Sequence, residues 1–187
     1  MFHHVRGSPH CNPETCTLKL QRCTLPSVSY RIVLERQTLR FAAAHFATFG
    51  DECEPLHGHN YALTVEFEGD LTPDSWVLDF TQAKALVRAL CAELDHKFLL
   101  ALQNASLTIA ESPAEYEITF GDRRYAIPRA DVAALPIDNS TAERLAEYLA
   151  GRIAEELRKR AVSNVMSITV GVEEAPGQSG WFRLALP

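Results

Sequence analysis

This sequence predicts an α+β domain, and three observations support that fold class. Two segments with alternating apolar residues come first, two later segments repeat their apolar residues at helical spacing, and two further alternating segments close the chain. A short hairpin pattern lies between the two helices. The predicted order is therefore β-β-α-(hairpin)-α-β-β, within a single domain over residues 29–187.

The first two predicted strands are joined by a long loop. Alternation begins at Tyr30 and continues, with a bend, into the segment Phe41-Ala-Ala-Ala-His45. A loop covers residues 48–56, and the next strand covers residues 60–68. The apolar face of that strand consists of Tyr61, Leu63, Val65 and Phe67. We expect these two strands to form an antiparallel pair.

Two helices are predicted from capping residues and apolar spacing. Asp79 and Gln82 have capping-box spacing at the start of the first helix, which is expected to end near residue 96. The second helix is predicted after residue 139, where Ser140 and Glu143 repeat that spacing. The apolar stripes are Phe80, Ala83, Val87, Leu90 and Leu94 in the first helix, and Leu145, Leu149, Ile153 and Leu157 in the second.

The remaining segments are read as strands. Residues 97–137 are interpreted as an insertion that contains a hairpin, because alternating residues flank the turn Gly121-Asp122. The last two strands are predicted at Val165–Glu174 and Trp181–Leu186.

Composition excludes several classes of protein. Of the 187 residues, 47% are apolar and 22% are charged, which is a globular balance. The net charge of −6 argues against a nucleic-acid partner, and no apolar run is long enough to span a bilayer. Five cysteines are too few, and odd in number, for a disulfide framework, so we predict a cytoplasmic protein without a membrane partner.

Residues 1–28 are interpreted as a loosely ordered extension, or as the result of a start codon assigned too early. They lack sustained periodicity. A metal site of His10, Cys11, Cys16 and Cys23 is conceivable, but their spacing matches no familiar zinc pattern, and an unstructured tail is favoured.

The segment Cys53-Glu-Pro-Leu-His57-Gly-His59 is the strongest chemical signal. Residues i and i+2 of a strand point the same way, so His57 and His59 can aim at one point, and His45 ends the preceding strand. Three histidines with an open fourth position are typical of catalytic zinc. Cys53 is either a fourth ligand or a reactive thiol beside the metal.

Three other acidic or basic positions are candidates. Asp95 and His96 close the first helix, where they are either a proton-transfer pair or a helix terminus favoured by the dipole. Glu174 shares the face of the apolar residues of its strand, where a carboxylate is either paired or functional, and it can accept two adjacent N–H donors of a ligand. Cys91 is expected to be a buried structural thiol.

Taken together, these residues resemble the 6-pyruvoyl-tetrahydropterin synthase and 6-carboxytetrahydropterin synthase family over about residues 30–187. The motifs occur in the family's order: Phe41–His45, Cys53–Tyr61, Val77–Phe80, Leu94–His96, Asn139–Glu143 and Val172–Glu174. The resemblance implies the tunnelling fold, with a four-stranded antiparallel sheet, two helices on one face and assembly into trimers or hexamers. It also implies active sites at subunit interfaces.

The resemblance also assigns roles. It implies zinc on His45, His57 and His59, and catalysis by Cys53 with Asp95 and His96 of a neighbouring subunit. Pterin binding is implied for two further residues, Glu174 and Thr141.

The implied substrate is 7,8-dihydroneopterin triphosphate. The favoured products are 6-carboxytetrahydropterin, acetaldehyde and triphosphate, on the route to queuosine, and the animal branch makes 6-pyruvoyltetrahydropterin instead. Glu54 raises an alternative, since some relatives use a nearby glutamate and release 6-hydroxymethyl-dihydropterin for folate. A third reading is a non-catalytic zinc-binding module closed by Cys53. Because neighbours in an extended chain face opposite ways, we predict that Cys53 faces the metal and Glu54 faces away.

Overall fold

A computed structural model of the chain describes residues 29–35 and 37–187. The predictions for residues 1–28, including the conceivable metal site of His10, Cys11, Cys16 and Cys23, lie outside the described residues. The helices are α1 (Phe80–Leu94) and α2 (Ala142–Lys159). The strands are β1 (Tyr30–Leu34), β2 (Arg40–His45), β3 (Thr48–Phe49), β4 (Glu52–Cys53), β5 (His57–Gly69), β6 (Lys97–Ala101), β7 (Thr108–Glu111), β8 (Glu115–Phe120), β9 (Arg123–Pro128), β10 (Val132–Leu135), β11 (Val165–Ala175) and β12 (Gln178–Ala185).

The main sheet is larger than the sequence predicted. It has seven strands in the order β10-β6-β2-β5-β11-β12, and β1 also pairs with β5. Two of its pairings, β10 with β6 and β6 with β2, are parallel, and the others are antiparallel. The expectation of a four-stranded antiparallel sheet is therefore wrong in strand number and direction, because two strands of the insertion join the sheet and the first predicted strand is two strands.

Strand β6 joins the sheet because both of its faces are buried. Leu99 and Ala101 belong to the main core, whereas Phe98 and Leu100 belong to a second apolar cluster. A strand buried on both sides is a continuous apolar run and shows no alternation. This is why the pattern of residues 97–101 did not identify a strand.

Both helices pack on one face of the main sheet, as expected. Asp79 caps α1, and its carboxylate accepts the N–H of Gln82 at 2.9 Å. Thr141, one residue later than predicted, caps α2 by accepting the N–H of Arg144 at 3.5 Å. Side chains that are fully buried between the helices and the sheet, such as Val87 and Ile153, fill the main core. No helix in residues 29–35 and 37–187 is long and apolar enough to cross a bilayer.

The predicted hairpin is the outer part of a three-stranded antiparallel sheet, in the order β7-β8-β9. We call it the inserted sheet. Tyr116 and Ile118 of β8 are buried in the second apolar cluster, where they pack with Phe46, Phe98 and Leu100. The insertion is thus attached to the domain by an apolar interface beside the loop that precedes β5.

Candidate metal centre and its cavity

Three histidines lie close together where β2 ends and β5 begins. His45 lies directly opposite His57 in the strand register, and His59 lies opposite Ala43. One ring nitrogen of each lies within 4.8 Å of the others. The sequence expectation that strand parity brings these three residues together agrees with this geometry.

Each imidazole also interacts with the backbone. Nδ1 of His45 donates to the carbonyl of Ser140 at 3.0 Å, and Nδ1 of His57 donates to the carbonyl of Pro55 at 2.8 Å. The ring of His59 bonds to the backbone of Glu174. Such bonds fix the tautomer and orientation of metal-binding histidines.

His45 supplies the clearest sign that a metal ion fits here. The residue is 2% exposed, and its Nε2 atom is buried without a hydrogen-bond partner among the described residues. Burial, and secondarily the neighbouring imidazoles, lower the pKa of His45 to about 4, so its ring is neutral at pH 7. A buried, unprotonated nitrogen beside two others is a suitable donor set for a divalent ion, and three histidines leave a coordination position open.

The histidines line a cavity of about 420 Å³, which is large enough for a small heterocyclic ligand. Glu54, Glu174 and Thr141 line the same cavity, as does the backbone of Gly180. The Glu54 carboxylate lies 3.9 Å from Nε2 of His57. Glu143 also lines the cavity, which therefore combines a metal-binding cluster with three carboxylates.

Glu174 lies where strand parity predicted it. Its Oε1 atom is 4.0 Å from Nε2 of His45 and accepts the hydroxyl of Tyr61 at 3.5 Å. Burial raises the pKa of Glu174, and the nearby carboxylates of Glu54 and Glu143 add to that effect. The carboxylate therefore lies beside the histidines, and a ligand that donates hydrogen bonds to it would stabilise its charged form.

Cys53 lies outside this cavity, contrary to the expectation that its thiol would face the histidines. The side chain is 5% exposed and packs in the second apolar cluster beneath the inserted sheet. Burial raises the pKa of the thiol. The two neighbours thus face opposite ways as predicted, but it is Glu54 that faces the histidines.

Asp95 and His96 form a pair that does not line the histidine cavity. Oδ2 of Asp95 is 2.9 Å from Nδ1 of His96, and the His96 side chain is 82% exposed. The other oxygen of Asp95 accepts the N–H of Ala42 at 2.8 Å, which helps to lower the pKa of Asp95. His96 and Lys97 line a second depression together with Gly58 and Asn60, which alternate with His57 and His59 along β5.

Sequence reasoning missed two residues around the site. Ser140 was assigned to a capping box, yet its hydroxyl donates to the carbonyl of Phe46 at 2.9 Å and lies 3.2 Å from Nδ1 of His45. Arg123, at the tip of the inserted sheet, donates to the backbone carbonyls of Cys53 and Glu54. No local pattern marks Arg123, because it contacts residues about seventy positions earlier in the chain.

Comparison with known proteins identifies the class to which this fold and site belong. Residues 35–184 match the family model described as 6-pyruvoyl tetrahydropterin synthase. The chain belongs to the 6-pyruvoyl tetrahydropterin synthase family, whose enzymes are lyases that act on pterins.

Relatives within the family carry different names. A protein of Methanocaldococcus jannaschii that is named for 6-carboxy-5,6,7,8-tetrahydropterin synthase is 35% identical over 146 residues, which cover 78% of this chain and 90% of the relative. A Pyrococcus furiosus protein named dihydroneopterin monophosphate aldolase is 36% identical over 77 residues, 38% of this chain and 66% of that protein.

A solved structure of similar fold comes from Plasmodium vivax. It is a 6-pyruvoyltetrahydropterin synthase in which a catalytic glutamate has been replaced by alanine. It is 30% identical to this chain, covers 85% of it and 99% of its own length, and superposes with a TM-score of 0.80. The likeness extends to the two helices and the curled mixed sheet.

Proposed function

We propose that this chain is a zinc-dependent lyase that removes the two terminal carbons from the side chain of 7,8-dihydroneopterin triphosphate. The observation that carries the proposal is the cavity that His45, His57 and His59 share with the carboxylates of Glu54 and Glu174. The family supports a pterin substrate, and the metal cluster supports a reaction at an oxygen-bearing side chain.

His45, His57 and His59 would hold the zinc ion through one ring nitrogen each. Zinc bound there supplies a Lewis acid that polarises a substrate oxygen. Cys53 is buried elsewhere and does not close the site as a fourth ligand. That placement argues against the non-catalytic zinc-binding module.

Glu54 is the proposed proton-transfer group. Its carboxylate would take the proton of the second side-chain hydroxyl, and the bond between the first and second side-chain carbons would then break. The electron pair moves into the pterin ring system, the second carbon becomes an aldehyde, and Glu54 returns the proton to the first carbon. The named catalytic glutamate of the Plasmodium vivax enzyme supports a carboxylate in this role.

The pterin ring is proposed to bind between Glu174 and the start of α2. Glu174 offers two acceptor oxygens to adjacent N–H donors of the ring, and Thr141 lines the same cavity. This arrangement would place the pterin side chain toward the histidines, where Glu54 also lies.

Two product sets are consistent with this bond cleavage. Glu54 in the cavity favours 6-hydroxymethyl-dihydropterin with a two-carbon phosphorylated aldehyde. The name of the Methanocaldococcus jannaschii relative favours 6-carboxytetrahydropterin with acetaldehyde and triphosphate. The second set is the one expected of a thiol, and it requires Cys53 to reach the substrate.

Product analysis of three proteins tests the proposal. The zinc-loaded wild type, Glu54→Gln and Cys53→Ala are incubated with dihydroneopterin triphosphate, and the products are identified by mass. We expect Glu54→Gln to lose about a hundredfold or more of the rate, the usual cost of losing a general base, and Cys53→Ala to retain most of it. Loss of turnover in Cys53→Ala with carboxypterin as the wild-type product would instead establish the thiol route.

Assembly is part of the proposal, because Asp95 and His96 are exposed on the face away from their own cavity. A trimer or hexamer would allow this pair to reach a neighbouring subunit's substrate. The described sheet ends in β10 and β12, and closure around a three-fold axis would pair such edges. Light scattering should give a mass of at least three chains, and a monodisperse monomer at micromolar concentration would refute this part.

A further inference from the structure

The inserted sheet touches the backbone that carries Glu54 through Arg123. Nη1 of Arg123 donates to the carbonyl of Cys53 at 2.8 Å and to the carbonyl of Glu54 at 2.9 Å. A guanidinium nitrogen carries two hydrogens, so one nitrogen can serve both acceptors. Hydrogen bonds from a charged donor are stronger than those between neutral groups.

Arg123 is presented by a well-supported hairpin tip. It opens β9 directly after the turn at Gly121, whose φ of +55° suits glycine. Tyr116 and Ile118 of the neighbouring β8 are buried against the domain, and the ring of Tyr125 stacks on Phe46 with centroids 5.3 Å apart. The packing of the inserted sheet against the domain therefore fixes the position of the guanidinium.

The opposite side of the same loop is also held. The N–H of Glu54 donates to the carbonyl of Ala47 at 2.9 Å, and a Glu54 carboxylate oxygen accepts the N–H of Ala47 at 3.1 Å. The side chain of Asn139 accepts the N–H of Thr48 at 3.1 Å and donates to its carbonyl at 2.7 Å. On the side that faces the inserted sheet, Arg123 is the charged donor to both carbonyls, and the Glu54 carbonyl also accepts the Cys53 thiol at 3.4 Å.

Fixing these carbonyls decides which side chain enters the cavity. With both carbonyls turned toward Arg123, the Cys53 side chain enters the apolar cluster and the Glu54 side chain enters the histidine cavity. A rotation of this backbone would move the carboxylate away from His57, from which it is now 3.9 Å. Small displacements of a catalytic group are costly to the rate.

We propose that Arg123 is a positioning residue, which holds the backbone of Cys53 and Glu54 so that the Glu54 carboxylate faces the metal-binding cavity. The inference rests on the proposed function of Glu54. It gives the inserted sheet a role in catalysis without contact with the substrate.

Kinetics of matched variants test the role. Arg123→Met keeps an unbranched stem that ends near the position of Nε and removes the guanidinium donors. Arg124→Met is the control, because Arg124 pairs with Glu117 on the exposed side of the sheet. We expect Arg123→Met to lower kcat between about tenfold and a hundredfold with little change in KM, and Arg124→Met to leave both unchanged. In a Glu54→Gln background, Arg123→Met should cause no further loss. Equal kcat values for the two methionine variants, or losses that add in the double variant, would overturn the proposal.

Hydrogen exchange provides a readout that needs no activity. In the zinc-loaded full chain, the amide of Glu54 should exchange about tenfold faster in Arg123→Met than in Arg124→Met, because local opening becomes easier, while zinc content stays equal. Unchanged exchange would refute the positioning role. Should Arg123→Met fail to fold, Arg123→Gln, which keeps one amide donor group, undergoes the same comparison. A wild type without lyase activity would refute the proposed function, and the exchange comparison would still decide whether Arg123 holds this loop.

Discussion

His45 and Ser140 are 95 residues apart in the chain and are joined by a buried hydrogen bond from Nδ1 of His45 to the Ser140 carbonyl. The Ser140 hydroxyl lies 3.2 Å from the same nitrogen. The bond leaves Nε2 of His45 as the free donor atom that faces the other two histidines. The start of α2 thus orients a residue of β2, and metal affinity should depend on both elements.

Ser140→Ala should weaken zinc binding without abolishing it. The substitution removes the hydroxyl but keeps the backbone carbonyl, so we expect about a tenfold loss of affinity, the lower end for groups that orient a metal-binding histidine. Competition with a chromophoric chelator measures it. Ser167→Ala, which removes another buried serine hydroxyl that bonds to Glu68, is the control and should keep wild-type affinity.

His57→Ala should abolish stoichiometric zinc. The variant leaves two of the three clustered nitrogens, which is too few for a stable site. Metal analysis after dialysis should find about one zinc per chain in the wild type and in the control His96→Ala, because His96 lies outside the cluster. One zinc per chain in purified His57→Ala would show that the ion binds elsewhere.

Stability of the metal-free protein should fall as the pH is lowered from 6.5 toward 4. Burial lowers the folded-state pKa of His45 from 6.5 to about 4, so the unfolded chain binds the extra proton in this interval. The free energy of unfolding should decrease by up to about 1.4 kcal/mol per pH unit from this group, and the loss is complete below the folded pKa. Urea unfolding at pH 7 and pH 5 measures the change, and His45→Gln should show a shallower dependence. If the free energy of unfolding fell equally with pH in the two proteins, His45 would not be the group responsible.

Glu174→Gln should weaken pterin binding by roughly tenfold to a hundredfold, because a neutral amide accepts fewer and weaker hydrogen bonds than a carboxylate. Fluorescence titration of the zinc-loaded protein with neopterin measures the affinity. Glu173→Gln is the matched control, since Glu173 bonds to the N–H of Gly177 and does not line the cavity. Equal affinities of the two variants for neopterin would show that a residue other than Glu174 anchors the pterin.

Local patterns in the sequence were sufficient for the helices and the histidine cluster. Asp79 caps α1 as predicted, and the i, i+2 spacing of His57 and His59 puts both rings beside His45. Parity along β11 likewise brought Glu174 to the site. In each case the deciding geometry lies within one strand, one helix start or one strand pair.

Long-range contacts decided what the sequence did not predict. Residues 97–101 and 132–135 pair in parallel, and neither segment shows the alternation of a half-buried strand. The choice between Cys53 and Glu54 depends on a hairpin and on Arg123 from the inserted sheet. Ser140 lost its predicted capping role because its hydroxyl bonds to Phe46, which left Thr141 to cap α2.

A thiol sealed beneath the inserted sheet is poorly placed to react with peroxide. Oxidation of cysteine starts from an accessible thiolate, whereas the Cys53 side chain is 5% exposed and its burial raises the pKa. The carboxylate proposed to transfer protons, that of Glu54, is a group that peroxide does not oxidise. The lyase activity proposed for this protein should persist in peroxide concentrations that inactivate a relative whose catalysis depends on a reduced cysteine.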